Sequence, residues 1–323
     1  MNPSPLLHVD DLTVGFATEQ GAVRVVEDVS FSLAAGQTLG LVGESGCGKS
    51  VTAQTIMRLL PSPPARIEKG RILFDGEDLA AAPPKRMQEI RGDRIGMVFQ
   101  EPMTSLNPTL RIGEQIAEPL MLHRGMRYAE AEAEVISVLR HVGVGNAERR
   151  LRQYPHELSG GLRQRMMIAM AIVCNPELLI ADEPTTALDV TIQAQIMELL
   201  KSLQKEMGLA ILLITHDLGM VAEMCETIAV MYAGRIVETG RTDEIFARPR
   251  HPYADGLLNS SPRRTPKGER LPSIPGLVPP PGLRGAGCSF AERCARVTPR
   301  CRAERPELTA IGASAAACWN PVP

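Results

Sequence analysis

No apolar run in this sequence comes near the ~18 residues that a bilayer span needs. The most apolar windows, MMIAMAIV and AILLIT, stop far short of it, so the chain is not expected to cross a membrane by itself. That absence leaves open a seat against a membrane partner. The opening MNPSPLLHVDDLTVGF lacks a basic stretch leading into an apolar one, and no secretory signal is expected. Nor is there a charge excess: the formal net charge of −2 gives no reason to expect nucleic-acid binding by the whole molecule. Seven cysteines, an odd number without a signal, argue against a disulfide framework and leave metal, catalytic or simply buried thiols. No internal repeat of ~20–50 residues is visible.

What is present is an ordinary globular composition, 44% hydrophobic and 22% charged, over 323 residues. That length suits one large domain with an appendage. Residues 7 to 42 read as short strands: LHVDDLTVGF, then AVRVVEDVSFSL with half-exposed alternation, then the buried-looking QTLGLVG. From about Glu101 to Pro155 the character is helical, in EQIAEPLMLHRG and AEAEVISVLRHVG. Strand-like runs return at ELLIAD and AILLITHD, each followed by a helical segment, which is the parallel α/β pattern. Beyond His251 the composition shifts: nine prolines fall from Pro249 to Pro281, and SIPGLVPPPGL cannot be helix or central strand. The expected division is therefore 1–250 and 251–323, the second part a linker followed by a small cysteine-bearing appendage.

GLVGESGCGKSVTAQTIMRLL has the order strand, glycine-rich loop, helix. Gly43, Gly46, Gly48, Lys49 and Ser50 match the P-loop pattern, and the nucleotide-binding stretch runs through Gly43, Glu44, Ser45, Gly46, Cys47, Gly48, Lys49, Ser50 and Val51. Glycines let successive N–H groups turn toward phosphate oxygens, and the helix adds the positive end of its dipole. Lys49 would reach the β- and γ-phosphates of a nucleotide, and the Ser50 hydroxyl would ligate Mg²⁺. PELLIADEPTTALD places two carboxylates directly after an apolar strand. Strand ends are where open α/β sheets bind ligands, so Asp182 suits the Mg²⁺ shell and Glu183 suits a general base for the attacking water.

The segment HELSGGLRQRMMIAMAI, ahead of the Asp182–Glu183 strand, resembles the signature of ATP-binding cassette (ABC) proteins. The resemblance implies a P-loop NTPase of the ABC ATPase fold: a RecA-like α/β core, an antiparallel β subdomain, a helical subdomain inserted at about 101–156, and the signature at 157–165. It further implies that Gln100 in GMVFQEP reaches the active-site metal and water, that His216 in LLITHD senses the γ-phosphate, and that Asp189 belongs to the D-loop. Phe16 is the candidate for stacking on adenine, with a strand-face core aromatic as the equal alternative. Ser159, Gly160 and Gly161, at a helix start, offer a second anion site that is redundant within one chain. The family resolves this by head-to-tail dimers in which these residues and Asp189 contact the ATP of a second ATPase subunit, here expected to be a non-identical one.

EPMTSLNPTLRIGEQIAEPL, HPYADGLLNSSP and IPGLVPPPG resemble the oligopeptide/dipeptide branch of bacterial importers, which includes nickel and glutathione transporters. This resemblance covers nearly the whole chain. It implies a peripheral ATPase subunit on the cytoplasmic face of the membrane, working with two permeases and an extracytoplasmic substrate-binding protein on di- or oligopeptides. Nickel or glutathione is the alternative cargo. A soluble ABC ATPase acting on nucleic acid or ribosomes is the rival class, but it would carry a second cassette or a long coiled coil. Two departures from the family pattern, Cys47 in the P-loop and Leu162 after the signature glycines, remove no phosphate ligand.

Cys288, Cys294, Cys301 and Cys318 are separated by 5, 6 and 16 residues, without the paired C-x-x-C of structural zinc. Four thiolates from loops can hold zinc or a 4Fe–4S cluster, or be free and packed. The resemblance favours the 4Fe–4S cluster, with a structural rather than an electron-transfer role. Six arginines against two glutamates between Arg284 and Arg305 would offset its charge. Cys174 and Cys225 read as core.

Overall fold

The computed structural model describes residues 4–19, 21–101, 105–186, 188–260 and 272–323. Parts of EPMTSLNPTL and of the proline-rich stretch, residues 102–104 and 261–271, thus lie outside the described residues. The chain divides into two compact units.

The first unit comprises Met1–Ala34, Thr38–Ala82 and Leu213–Pro323. Its antiparallel sheet has the order Gly21–Leu33, Leu7–Thr18, Ala65–Phe74, Glu77–Asp78. Alternation places Leu7 and Val9 on the core side, then breaks at bulges on either side of Leu12 and Val14, so that all four are fully buried. Opposite the bulge Gly70 has φ +98, and a Cβ there would lie 2.5 Å from Asp11 O and 2.6 Å from Leu12 Cα. Only glycine lets the two strands close at that point.

A second ladder of this unit runs Thr38–Val42, Thr227–Tyr232, Arg235–Arg241, Ser314–Ala316, Thr309–Ile311. The first pair is parallel and the others antiparallel. Thr38–Val42 is buried at every residue, as an apolar run without alternation predicts. Ala233 (φ +44) and Gly234 (φ +80) form the tight turn into Arg235–Arg241, both left-handed as a two-residue hairpin turn requires.

The cysteine-bearing tail does not stand as a separate unit. Ala316, Ala315 and Ser314 pair with Glu238, Thr239 and Gly240, and Ala317 N donates to Val237 O at 2.8 Å. Arg284 and Arg305 bind the Glu27 carboxylate at 3.3 and 3.0 Å, joined by Arg235 at 3.8 Å. The physical reason is size: strands of three residues cannot build their own core and must borrow one. Within the stretch expected as linker, Pro252–Asn259 is a helix, with Pro252 in the first turn, where a missing N–H costs nothing. Residues 274–281 carry no helix or strand.

The second unit comprises Ala35–Gln37 and Pro83–Leu212. Ile95–Val98 and Leu178–Asp182 pair in parallel, Ile95 opposite Leu178. A Cβ at Gly96 would lie 2.1 Å from Ala171 O, so the helix Gly160–Ile172 seats directly on that strand. The region read as helical holds Ile112–Arg124 and Tyr128–His141; the latter buries Ala131, Val135 and Leu139, one face at four-residue spacing. Val190–Met207 buries Ile196, Leu199, Leu200 and Leu203 and stops at Gly208 in the left-handed conformation. The strand Ala210–Thr215, buried throughout, carries the chain from this unit back to the first.

Candidate active site

In the first unit, Thr38–Val42 delivers the chain into the loop Gly43–Gly48. A Cβ at Gly43 would lie 2.1 Å from the backbone Met231 O, so the loop can lie against its neighbouring strand there only with glycine, and Gly48 at φ +107 is in the conformation that favours glycine. Gly48, at φ +107, starts the helix Lys49–Ile56, which no side chain caps. An uncapped helix start with its dipole suits an anion. Lys49 is 4% exposed and donates to Gly43 O at 2.8 Å and Glu44 O at 3.0 Å. Cys47 is buried beneath it; burial raises the thiol, and the Lys49 ammonium pulls the other way. Ser45 is exposed, and Ser50 and Val51 sit half-buried at the helix start. Phe16 is half-buried on its strand, in register between Val23 and Ala65.

Glu44 is held from residues far down the chain. Its N–H donates to Tyr253 Oη at 2.8 Å, and its carboxylate accepts from Arg293 Nη1 at 2.8 Å and Nη2 at 3.1 Å. Arg293 also donates Nε to Pro275 O at 2.9 Å and Nη2 to Ile274 O at 3.2 Å, with its side chain only 6% exposed. Burial alone would lower its pKa, but the bonds to Glu44 and Tyr232 raise it. Tyr253 is fully buried, with its ring 4.6 Å from Tyr232 and 5.5 Å from Phe290. His251 seats it: Nδ1 accepts the Tyr253 N–H at 3.0 Å as the helix N-cap, and the His251 N–H donates to Glu238 at 2.8 Å. Burial pushes the His251 ring down to about 3, so it is neutral and free to accept. Neither Tyr253 nor Arg293 stood out in the sequence. The available signal was HPY, a histidine followed by proline at a helix start.

In the second unit, Asp182 is 3% exposed at the end of its buried strand. Glu183 follows with φ +46, a conformation that costs a non-glycine residue about 1–3 kcal/mol. Two donors converge on Glu183 Oε2: Gln100 Nε2 at 3.1 Å and Thr186 Oγ1 at 2.8 Å. Gln100 and Glu183, 83 residues apart in sequence, are thus brought together. Thr186 escaped the sequence reading, although a hydroxyl three residues after Glu183 could have marked it. Ser159 is the exposed N-cap of Gly160–Ile172 and makes no side-chain cap bond. Gly160 is exposed too, and a Cβ on Gly161 would lie 2.9 Å from Ile192 Cγ2. Asp189 caps Val190–Met207, accepting from Ile192 N at 3.0 Å. His216 belongs to the first unit, exposed just after Ala210–Thr215, with Asp217 capping the next helix through Gly219 N at 2.7 Å.

Cys288, Cys294, Cys301 and Cys318 all line one small cavity in the first unit and form no disulfide. Backbone N–H groups point at two of the sulfurs, Arg296 N to Cys294 Sγ at 3.3 Å and Asn320 N to Cys318 Sγ at 3.4 Å. Among the described residues, however, no three His, Cys, Asp or Glu side chains form a group able to hold a metal ion. The four expected zinc or 4Fe–4S ligands thus share one cavity without forming such a group. Burial raises the Cys288, Cys294 and Cys318 thiols, the last to about 11, and each neighbouring thiolate would raise them further.

Among the described residues no helix is long and apolar enough to cross a membrane. The ABC transporter family model matches residues 26–186, and the oligopeptide/dipeptide transporter C-terminal region matches 237–301. The chain is 52% identical to the "Probable peptide ABC transporter ATP-binding protein y4tR" of Sinorhizobium fredii, over 98% of this chain and 95% of that protein. It is 54% identical to the oligopeptide transport ATP-binding protein OppD of Bacillus subtilis, over 89% and 81%. Among solved structures, the dimeric bacterial ABC transporter cassette MJ0796 superposes with a TM-score of 0.66 at 28% identity, covering 73% of this chain and 98% of its own. With the glycine loop, the buried Asp182 strand and the signature helix all in place, the chain belongs to the ABC transporter family, as an ATP-binding subunit of the oligopeptide/dipeptide importer branch.

Proposed function

We propose that this chain binds and hydrolyses ATP to power uptake of di- or oligopeptides through separate membrane permeases, from the cytoplasmic face. The observation that carries the hydrolytic part is the convergence of Gln100 and Thr186 on one oxygen of a conformationally strained Glu183. That leaves Glu183 oriented as a general base for water, with Gln100 beside it to align the attack. Lys49 and the loop amides take the phosphates, and His216 donates to the charge that develops on the γ-phosphate. Ser50, Gln100 and Asp182 would hold Mg²⁺, whose charge would neutralise the phosphates. Ser159, Gly160, Gly161 and Asp189 face the ATP of a second, non-identical ATPase subunit. The uncapped, exposed start of Gly160–Ile172 supports that assignment.

The cargo reading rests on the peptide relatives and the matching C-terminal region, with nickel or glutathione as the alternative. The four tail cysteines are assigned to a structural 4Fe–4S cluster, with zinc as the alternative. Their shared cavity and the N–H groups aimed at Cys294 and Cys318 support a thiolate set, since such bonds favour the charged form. Iron and acid-labile sulfide in the anaerobically purified chain would bear this out, and stoichiometric zinc would overturn it. The function is tested in proteoliposomes holding both ATPase subunits, the permeases and the binding protein. ATP-dependent peptide accumulation that stops in Glu183→Gln is expected, while uptake of nickel but no peptide would refute the cargo.

A further inference from the structure

The hold on Glu44 comes from a part of the chain with no place in phosphate chemistry. Tyr253 and Arg293 lie 209 and 249 residues beyond it in sequence, yet both reach this single loop residue. Glu44 is consequently fixed at three points: its N–H by Tyr253, its carboxylate by both arms of Arg293, and its carbonyl by Lys49. The Arg293 guanidinium is itself fixed on its other side by the carbonyls of Pro275 and Ile274. A bidentate fork clamped on both sides sets direction as well as attraction. Because the Glu44 carbonyl also seats Lys49, moving Glu44 would shift the loop backbone and the lysine together.

We infer that Arg293 and Tyr253 are positioning residues for the phosphate loop, acting through Glu44, so that the packing of the cysteine-bearing tail sets ATP affinity. Arg293 directly precedes Cys294, and Phe290, edge-on to Tyr232 at 5.2 Å, lines the same cavity as the four thiols. Rearrangement of that cavity would therefore be felt at the loop. This inference rests on the nucleotide-binding reading of Gly43–Val51.

Charge alone makes the opposite prediction from positioning, which supplies the test. Removing a carboxylate beside phosphates relieves repulsion, so Glu44→Gln should tighten ATP if only Coulomb terms matter. Positioning demands that it weaken. In the purified full chain, the Kd for a fluorescent ATP analogue is expected to rise about tenfold in Glu44→Gln, and as much in Arg293→Lys, which keeps the charge but loses the fork. The double variant should be no weaker than either single one. In the assembled importer the KM for ATP should rise while kcat stays within about twofold. Tyr253→Phe should move the Kd in the same direction. Wild-type or tighter binding in Glu44→Gln, or additive losses in the double variant, overturns the inference. Should Arg293→Lys fail to fold, Glu44→Gln alone still decides. Lys49→Ala is the control: if it too binds like wild type, the nucleotide reading has failed rather than the positioning role.

Discussion

His251 is a neutral ring in a place where a charged one cannot sit. Its ordinary pKa near 6.5 falls to about 3 on burial, so between those values the unfolded chain takes up a proton that the folded chain refuses. Its contribution to stability is complete above pH 6.5 and is lost as pH falls toward 3, by up to about 1.4 kcal/mol per pH unit. Glu238 beneath it runs the other way, because burial raises that carboxyl. Comparing Tm from pH 7.5 to 5 in wild type and His251→Asn isolates the histidine: the variant retains a capping oxygen, and its curve should be flatter. At this scale the sequence was legible where chemistry is local. The placing of Gly43 in a loop after a strand, of Lys49 at a helix start and of Asp182 at a strand end could be read from their neighbours, since loop, strand end and helix start are contiguous. The left-handed backbone of Glu183 and the partners of Glu44 were not, because nothing in a sequence window couples residues more than 200 positions apart.

Among the elements, those with enough length to show a period were readable. Thr38–Val42 and Ala210–Thr215 are continuous apolar runs and prove buried throughout. Tyr128–His141 has its apolar stripe at helical spacing. Thr309–Ile311 and Ser314–Ala316 are too short for any period, and their pairing partner lies elsewhere in the chain. What secures them is partly ionic. Arg284, with 4% of its side chain exposed, and Arg305 both depend on Glu27, itself 13% exposed. Glu27→Gln should strand those cations and cost roughly 3 kcal/mol, read as a lower Tm and faster proteolysis between residues 284 and 305. Little change in either would mean that the ladder of Arg235–Arg241 with Ser314–Ala316 holds the tail unaided. At the signature, Gly161→Val should push the helix start off Ile192, because even a Cβ would lie 2.9 Å from Cγ2. Loss of ATPase activity in the assembled importer, with nucleotide affinity of the lone chain retained, is the expected result.

For the whole molecule, the family tie makes the chain one part of a larger machine, and its behaviour alone is expected to be incomplete. Glu183→Gln should bind ATP and accumulate as a closed pair with a second ATPase subunit, since the proposed phosphate contacts survive while the proposed base is gone. Size-exclusion chromatography with ATP checks this, and normal turnover in that variant would remove Glu183 from its role. The same fold has a consequence for how the chain is made. Among the described residues, one side of Arg235–Arg241 pairs with Ser314–Ala316, which the ribosome delivers much later. Until then the strand is a bare edge, offering unpaired N–H and C=O groups to any other extended segment nearby. Nascent or trimmed chains that end short of Thr309 should therefore stick to one another, so this cassette becomes fully safe from aggregation only when its tail arrives.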